Sequence, residues 1–204
     1  MKIILVRHGE SVDDIIDCFG GAADFPLNET GKKEAEVKAK SFETVKVDKI
    51  YSSPLKRAMQ TADAINSITN SELVIVDNLI ERNSFGVLTG CNKDDAKELF
   101  GYLLKDIQGK PGDYYSDHVL LGAEPHVEFD QRVKDVIGWI VADALTHSFE
   151  TIIVVTHGNV TRSIYKNLLD VPQKIEIEHV ATTVIEYSNN TLTLVSKQGI
   201  TIKE

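Results

Sequence analysis

Two short apolar runs near opposite ends of this chain, Ile3-Ile4-Leu5-Val6 and Ile152-Ile153-Val154-Val155, each lead directly into a histidine-glycine pair. The first continues as Arg7-His8-Gly9 and the second as Thr156-His157-Gly158. An unbroken apolar run of this length reads as a strand buried on both faces, as in a parallel sheet covered by helices. Polar residues directly after the run mark the strand's C-terminal end, and in open α/β sheets the crevice beyond those ends is where ligands bind. Both imidazoles can therefore face one pocket despite their separation in sequence. With Arg7 beside His8, that pocket has the chemistry of a phosphate site.

The remainder of the chain alternates strand-like and helix-like segments. Turn and helix-entry residues, Asp24 to Gly31, precede a charged, alanine-containing helix that runs to about Phe42. Lys49 to Ser53 reads as a short strand, and Pro54 fits the first turn of a helix carrying Arg57 about one turn in. Leu73 to Val76 reads as a third strand that leads through a loop to Glu81, residues 93–106 as a helix, and Gln108 to Gly122 as an irregular loop or lid. Val133, Val136, Ile137, Ile140, Val141 and Leu145 repeat at helical spacing. A helix after His157 and a hairpin turning at Ser188-Asn189-Asn190 follow. This order predicts a three-layer α/β/α sandwich around a mostly parallel sheet. No linker, charge block or internal repeat divides the chain, so residues 1–204 read as a single domain.

Composition narrows the partners. With 31 acidic against 22 basic residues, the formal charge of −9 argues against nucleic acid or an anionic membrane as a partner, and an anionic substrate needs a locally positive pocket. Cys18 and Cys91 are too few for a disulfide framework and read as free thiols in a reducing cytosol. No apolar stretch approaches the roughly 20 residues of a membrane-spanning helix, so a soluble cytoplasmic protein is expected. His118, His126, His147 and His179 show no metal-ligand spacing, and no metal site is expected. Trp139 reads as a packing residue.

Four segments, in order, resemble the histidine phosphatase superfamily, also called phosphoglycerate-mutase-like. They are Leu5-Val6-Arg7-His8-Gly9-Glu10-Ser11, the stretch Ser52 to Ala62, Glu81-Arg82 with Gly86 to Gly90, and Val155-Thr156-His157-Gly158. The resemblance spans nearly the whole chain and implies a covalent phosphohistidine intermediate. His8 is then the nucleophile, since a neutral imidazole can attack phosphorus and later leave. Its other ring nitrogen should donate to a carbonyl, fixing the tautomer. Arg7 and Arg57 would clamp the equatorial phosphoryl oxygens, and His157 would stabilise the same oxygens, most usefully when protonated. Glu81 resembles the family's general acid and base. Arg82 and Gly158 are further candidate substrate contacts, and Ser11 either donates to phosphate or caps the next helix.

The departures bear on function. Mutase-like members usually carry a tryptophan and two asparagines where this chain has Asp13, Asp14 and Asp17, and an aspartate at 14 brings negative charge toward a phosphate unless it is protonated, paired or turned away. Glu81 to Gly86 is one residue longer than the common pattern, which bears on where the carboxylate sits. The stretch Lys97 to Tyr115, where mutases place a pair of arginines, contains Lys105 and Lys110 but no arginine. Hydrolysis of a small phosphorylated substrate without any cofactor is therefore the expected activity. The alternatives are a 2,3-bisphosphoglycerate-dependent phosphoglycerate mutase and a weakly catalytic phosphate-sensing relative. The resemblance also admits a homodimer, although no apolar edge or heptad identifies an interface.

Overall fold

A computed structural model describes residues 1–104 and 120–203. In chain order it contains β1 (Lys2–Arg7), the single-turn α1 (Val12–Ile15), α2 (Glu29–Lys40), β2 (Lys49–Ser52), α3 (Lys56–Thr69), β3 (Glu72–Ile75) and α4 (Lys93–Leu104). There follow α5 (His126–Thr146), β4 (Thr151–Thr156), α6 (Gly158–Leu168), β5 (Ile175–Ser188) and β6 (Thr191–Ile202). The strands form one sheet in the order β3-β2-β4-β1-β5-β6. The first four in that order are mutually parallel, and the β5–β6 hairpin adds two antiparallel strands.

Alternation along each apolar run divides the core into two layers. Ile3 and Leu5 of β1, with Ile152 and Val154 of β4, pack against Val133, Ile140 and their neighbours on α5 and against Val160 and Ile164 of α6. Ile4 and Val6, with Ile153 and Val155, face the other way and pack against Ala39 of α2 and Ala58, Ala62 and Ile65 of α3. A strand sandwiched in this way buries every side chain, so the runs carry no polar alternation. The predicted three-layer α/β sandwich is what forms, with the helical stripe of α5 as one outer layer.

Some boundaries differ from the sequence reading. Pro54 lies before the helix: Leu55 is the N-cap of α3 and Arg57 is its second residue. The third strand starts and ends one residue earlier than expected, and the predicted helix over 93–106 is observed to Leu104. Of the predicted loop over 108–122, only residues 120–122 lie within the described part, and His118 lies outside it. Among the described residues, no helix is long and apolar enough to cross a membrane.

Pairing of β1 with β4 positions the site. The two strands run parallel in the register Leu5↔Val154 and Arg7↔Thr156, and the ladder continues one step further, with His8 N donating to Thr156 O at 3.0 Å. The two histidines thus leave adjacent strands at the same level.

Candidate active site

The His8 and His157 rings lie 5.1 Å apart between centroids. His8 is buried, and its Nδ1 is 2.7 Å from Gly9 O, an acceptor that fixes the proton on Nδ1. Nε2 keeps its lone pair and accepts from Arg57 Nε at 3.2 Å. Burial, reinforced by Arg57 and Arg7, holds the His8 imidazole well below its ordinary protonation range. The ring is a neutral base with its reactive nitrogen facing a guanidinium. Arg57 is itself fixed by Ala23 O at 2.6 Å and Gly21 O at 2.7 Å.

Helix α3 and its approach supply most of the scaffold. Thr61 Oγ1 accepts from Gly9 N at 3.2 Å and donates to Arg57 O, tying the loop after β1 to the helix that bears the arginine. Ser53 Oγ lies 2.6 Å from His157 Nε2 and also accepts from Leu55 N. The hydroxyl keeps a second lone pair and its own hydrogen, so it can pair with either tautomer of the His157 ring. His157 Nδ1 and Arg7 Nε are buried without any hydrogen-bond partner, although Arg7 Nη1 donates to Ile177 O at 2.5 Å. Two buried nitrogens left unpaired beside a neutral imidazole, one of them on a guanidinium, suit an anion, because such groups are costly unless a ligand satisfies them. Ser53 and Thr61 belong to the Ser52 to Ala62 segment, but the partners that tie them to the histidine loops, His157 and Gly9, are 104 and 52 positions away and gave no local signal.

Glu81 enters from the connection after β3. It is buried, Oε1 accepts from Arg82 N at 2.8 Å and Oε2 from Asn159 N at 3.0 Å, in the first turn of α6. Each oxygen keeps a second lone pair that can take a proton. A β-carbon on Gly158 would lie 3.9 Å from both Glu81 Oε2 and Arg7 Nε and 3.0 Å from Arg162 Nη1, so the bare Cα leaves the space between acid and arginine open. The extra residue of this loop is absorbed locally: Asn83 Oδ1 accepts from Gly86 N at 3.0 Å and Thr89 Oγ1 at 2.6 Å. Gly86 has φ +51°, and a β-carbon there would meet Leu121 O at 2.1 Å. Arg82 is buried but directed elsewhere, with Nε donating to Glu124 O at 3.1 Å and Nη1 2.8 Å from His126 Nε2. His8, Arg7, Arg57, His157, Gly158 and Glu81 thus converge, while the Arg82 guanidinium is held by the segment that opens α5.

Residues 3–198 match the family model of the histidine phosphatase superfamily (branch 1). The chain belongs to this superfamily. Relatives of this chain carry the names of phosphatases and of mutases. The chain is 33% identical to phosphoserine phosphatase 1 of Hydrogenobacter thermophilus over 181 residues, which cover 84% of this chain and 77% of the relative. It is 28% identical to the 2,3-bisphosphoglycerate-dependent phosphoglycerate mutase of Bartonella bacilliformis, with 97% of each chain covered. The crystal structure of phosphoglycerate mutase from Bacillus anthracis shares the fold, with a TM-score of 0.82 over 96% of this chain and 92% of that one at 24% identity. The alpha-ribazole phosphatase of Shigella flexneri gives a TM-score of 0.79 at 21% identity, over 96% and 95% of the two chains.

Within this superfamily member, Asp14 is paired. Its carboxylate accepts from Ser11 N at 2.9 Å and Ser11 Oγ at 3.1 Å, and Oδ2 lies 3.4 Å from His179 Nε2. Burial works against ionisation, but His179, the Ser11 amide and the Arg7 charge outweigh it and hold the Asp14 carboxyl well below the usual carboxylate range. Ser11 is the N-cap of α1, with its hydroxyl engaged by Asp14. His179 had no signal in the sequence. Among the described residues, no group of three or more His, Cys, Asp or Glu side chains is arranged to hold a metal ion.

Burial, with Arg57 close by, also keeps His157 well below its ordinary range, so the ring is neutral, whereas a protonated one would be the more useful partner for phosphoryl oxygens. The two nearby arginines oppose a third positive charge. Both histidines therefore bind protons less readily when folded, and below about pH 6.5 the unfolded chain takes up more protons than the native one. Unfolding free energy is expected to fall with pH from that point, by about 1.4 kcal/mol per pH unit for each ring until its folded-state value is reached. Urea unfolding of wild type and His157→Gln across this interval tests the expectation. The variant should show the shallower dependence, and identical slopes would contradict it.

Proposed function

We propose that this protein is a metal-independent phosphomonoesterase, acting in the cytoplasm on a small phosphorylated metabolite through a phosphohistidine on His8. The observation that carries this reading is the state of the His8 ring. Its Nδ1 proton is committed to Gly9 O, and its unprotonated Nε2 faces Arg57 in a pocket where Arg7 Nε and His157 Nδ1 have no partner. The Nε2 lone pair attacks phosphorus while the bond to the leaving oxygen breaks, and Glu81 protonates that oxygen. Arg7, Arg57 and His157 hold the equatorial oxygens through the displacement. Glu81 then takes a proton from water, the water oxygen attacks phosphorus, and the phosphorus–nitrogen bond breaks to restore His8 and release phosphate.

Relatives named phosphatases and relatives named mutases are both similar to this chain. Hydrolysis is favoured by the lack of the paired arginines expected of a mutase for a second anionic group. Lys97 to Tyr115 contains no arginine, and the Arg82 guanidinium is engaged by Glu124 and His126. Phosphate release from a panel of phosphomonoesters in EDTA, with intact-mass detection of the phosphoenzyme, tests the reading. Turnover is expected to survive the chelator, because protein cations perform the role that metals have in other phosphatases. An absolute requirement for added Mg²⁺ or Zn²⁺ would refute the mechanism. Interconversion of 2- and 3-phosphoglycerate after priming with 2,3-bisphosphoglycerate would identify a mutase instead. Phosphate binding without either reaction would identify a sensing relative.

A further inference from the structure

A cleft of about 450 Å³ adjoins the phosphate pocket, with Arg7 common to both. Whatever the transferred phosphoryl group is attached to has this space to occupy. The cleft lining also includes Asp13, Asp14, Phe19, Phe85 and Lys93. Two of the charged groups there already have partners, Asp14 in Ser11 and His179, and Lys93 in Asp17. Asp13 is different. Its Oδ1 is buried with no hydrogen-bond partner. Its Oδ2 lies where a β-carbon on Gly20 would come within 2.0 Å, so the carboxylate is seated against bare backbone that no other residue would provide. Asp13 also lies close enough to Arg57 for its charge to offset part of the burial of that guanidinium.

Once phosphate has taken up Arg7 and Arg57, the carboxylate oxygen left without a partner in the adjoining cleft is Asp13 Oδ1. We infer that Asp13 selects the leaving group, favouring phosphomonoesters whose alcohol carries a cationic hydrogen-bond donor such as a primary ammonium, and disfavouring those that carry a carboxylate. The inference rests on the phosphatase reading and deepens it. A buried carboxylate oxygen without a donor is satisfied by an ammonium and repels a second carboxylate. Discrimination then comes from attraction to one class and repulsion of the other. It also bears on the mutase alternative, because phosphoglycerates present the disfavoured charge.

A two-carbon series isolates charge from size: O-phosphoethanolamine, 2-hydroxyethyl phosphate and phosphoglycolate. In the wild type, kcat/KM is expected to fall in that order, with about 10- to 100-fold between the first and last. Intrinsic differences among the esters cancel when the same ratio is read in Asp13→Asn and, as a second replacement, Asp13→Ser. There the preference for phosphoethanolamine should shrink about tenfold or more, chiefly through KM. An unchanged ratio in both variants, or a wild-type preference for phosphoglycolate, overturns the inference. p-Nitrophenyl phosphate, whose leaving group is an uncharged aromatic ring, separates the two levels. If the wild type cleaves it but shows no charge preference, the inference alone fails, whereas if it cleaves none of the four, the phosphatase reading fails and takes the inference with it.

Discussion

Replacing His8 with alanine is expected to abolish the phosphoenzyme and turnover together, with a loss in kcat on the order of 10⁴-fold or more. The size of the effect follows from the route. On the proposed route Nε2 is the atom to which phosphorus is transferred, so its removal deletes the intermediate and with it both displacements. The pocket should survive, because Arg57 keeps its bonds to Ala23 O and Gly21 O when the ring it also contacts is gone. Circular dichroism and a retained unfolding midpoint would show an intact fold. A phosphoenzyme persisting in His8→Ala would move the nucleophile to His157, the other ring of the pair.

Glu81→Gln is expected to lower kcat for alkyl phosphates by roughly 10²- to 10⁴-fold. The same change should be far milder for p-nitrophenyl phosphate, because a nitrophenolate departs without needing a proton. Glutamine keeps one carbonyl oxygen to accept a backbone N–H, so the loop after β3 retains part of its anchorage to Arg82 N and Asn159 N. A uniform loss across both leaving groups would indicate that Glu81 orders the site and transfers no proton. The contrast between esters carries more information than either rate alone.

What could be read from the residues beforehand depended on how local the cause was. β1 and β4 were legible because a strand covered on both faces needs an apolar residue at every position. The turn at Asn189-Asn190 was legible because both residues adopt left-handed backbone, φ +50° and +59°, which asparagine tolerates. β5 was not legible in the same way. Its pairing with β6 shifts between Ile177 and Thr182, and Val180 is held at φ +47°, against the preference of a β-branched side chain. Tertiary packing overrides propensity there, in the same stretch that carries His179 to Asp14. Within the site, His8, Arg7 and His157 follow from strand ends, and Arg57 from the start of a helix. Ser53 and Asn159 act on residues 104 and 78 positions away, respectively, a relation that no spacing rule encodes. Arg82 shows the opposite failure. Next to Glu81 in sequence, it points to Glu124 and His126, so adjacency along the chain did not become adjacency in space.

The position of β1 inside the sheet has a consequence for how the molecule is made. Both of its neighbours, β4 and β5, come from the last third of the chain, and β1 pairs with nothing earlier. On a ribosome, Ile3 to Val6 therefore waits without a partner until residues 151–186 have emerged, while β2 and β3 can already pair with each other. Long-range pairing of this kind is slow and leaves an apolar segment exposed in the meantime. The nascent chain thus exposes an apolar strand well before its partners can shield it. The proposed nucleophile, His8, directly follows that strand, so activity in a translating population should appear only with closure of the sheet's centre, as a late and cooperative event.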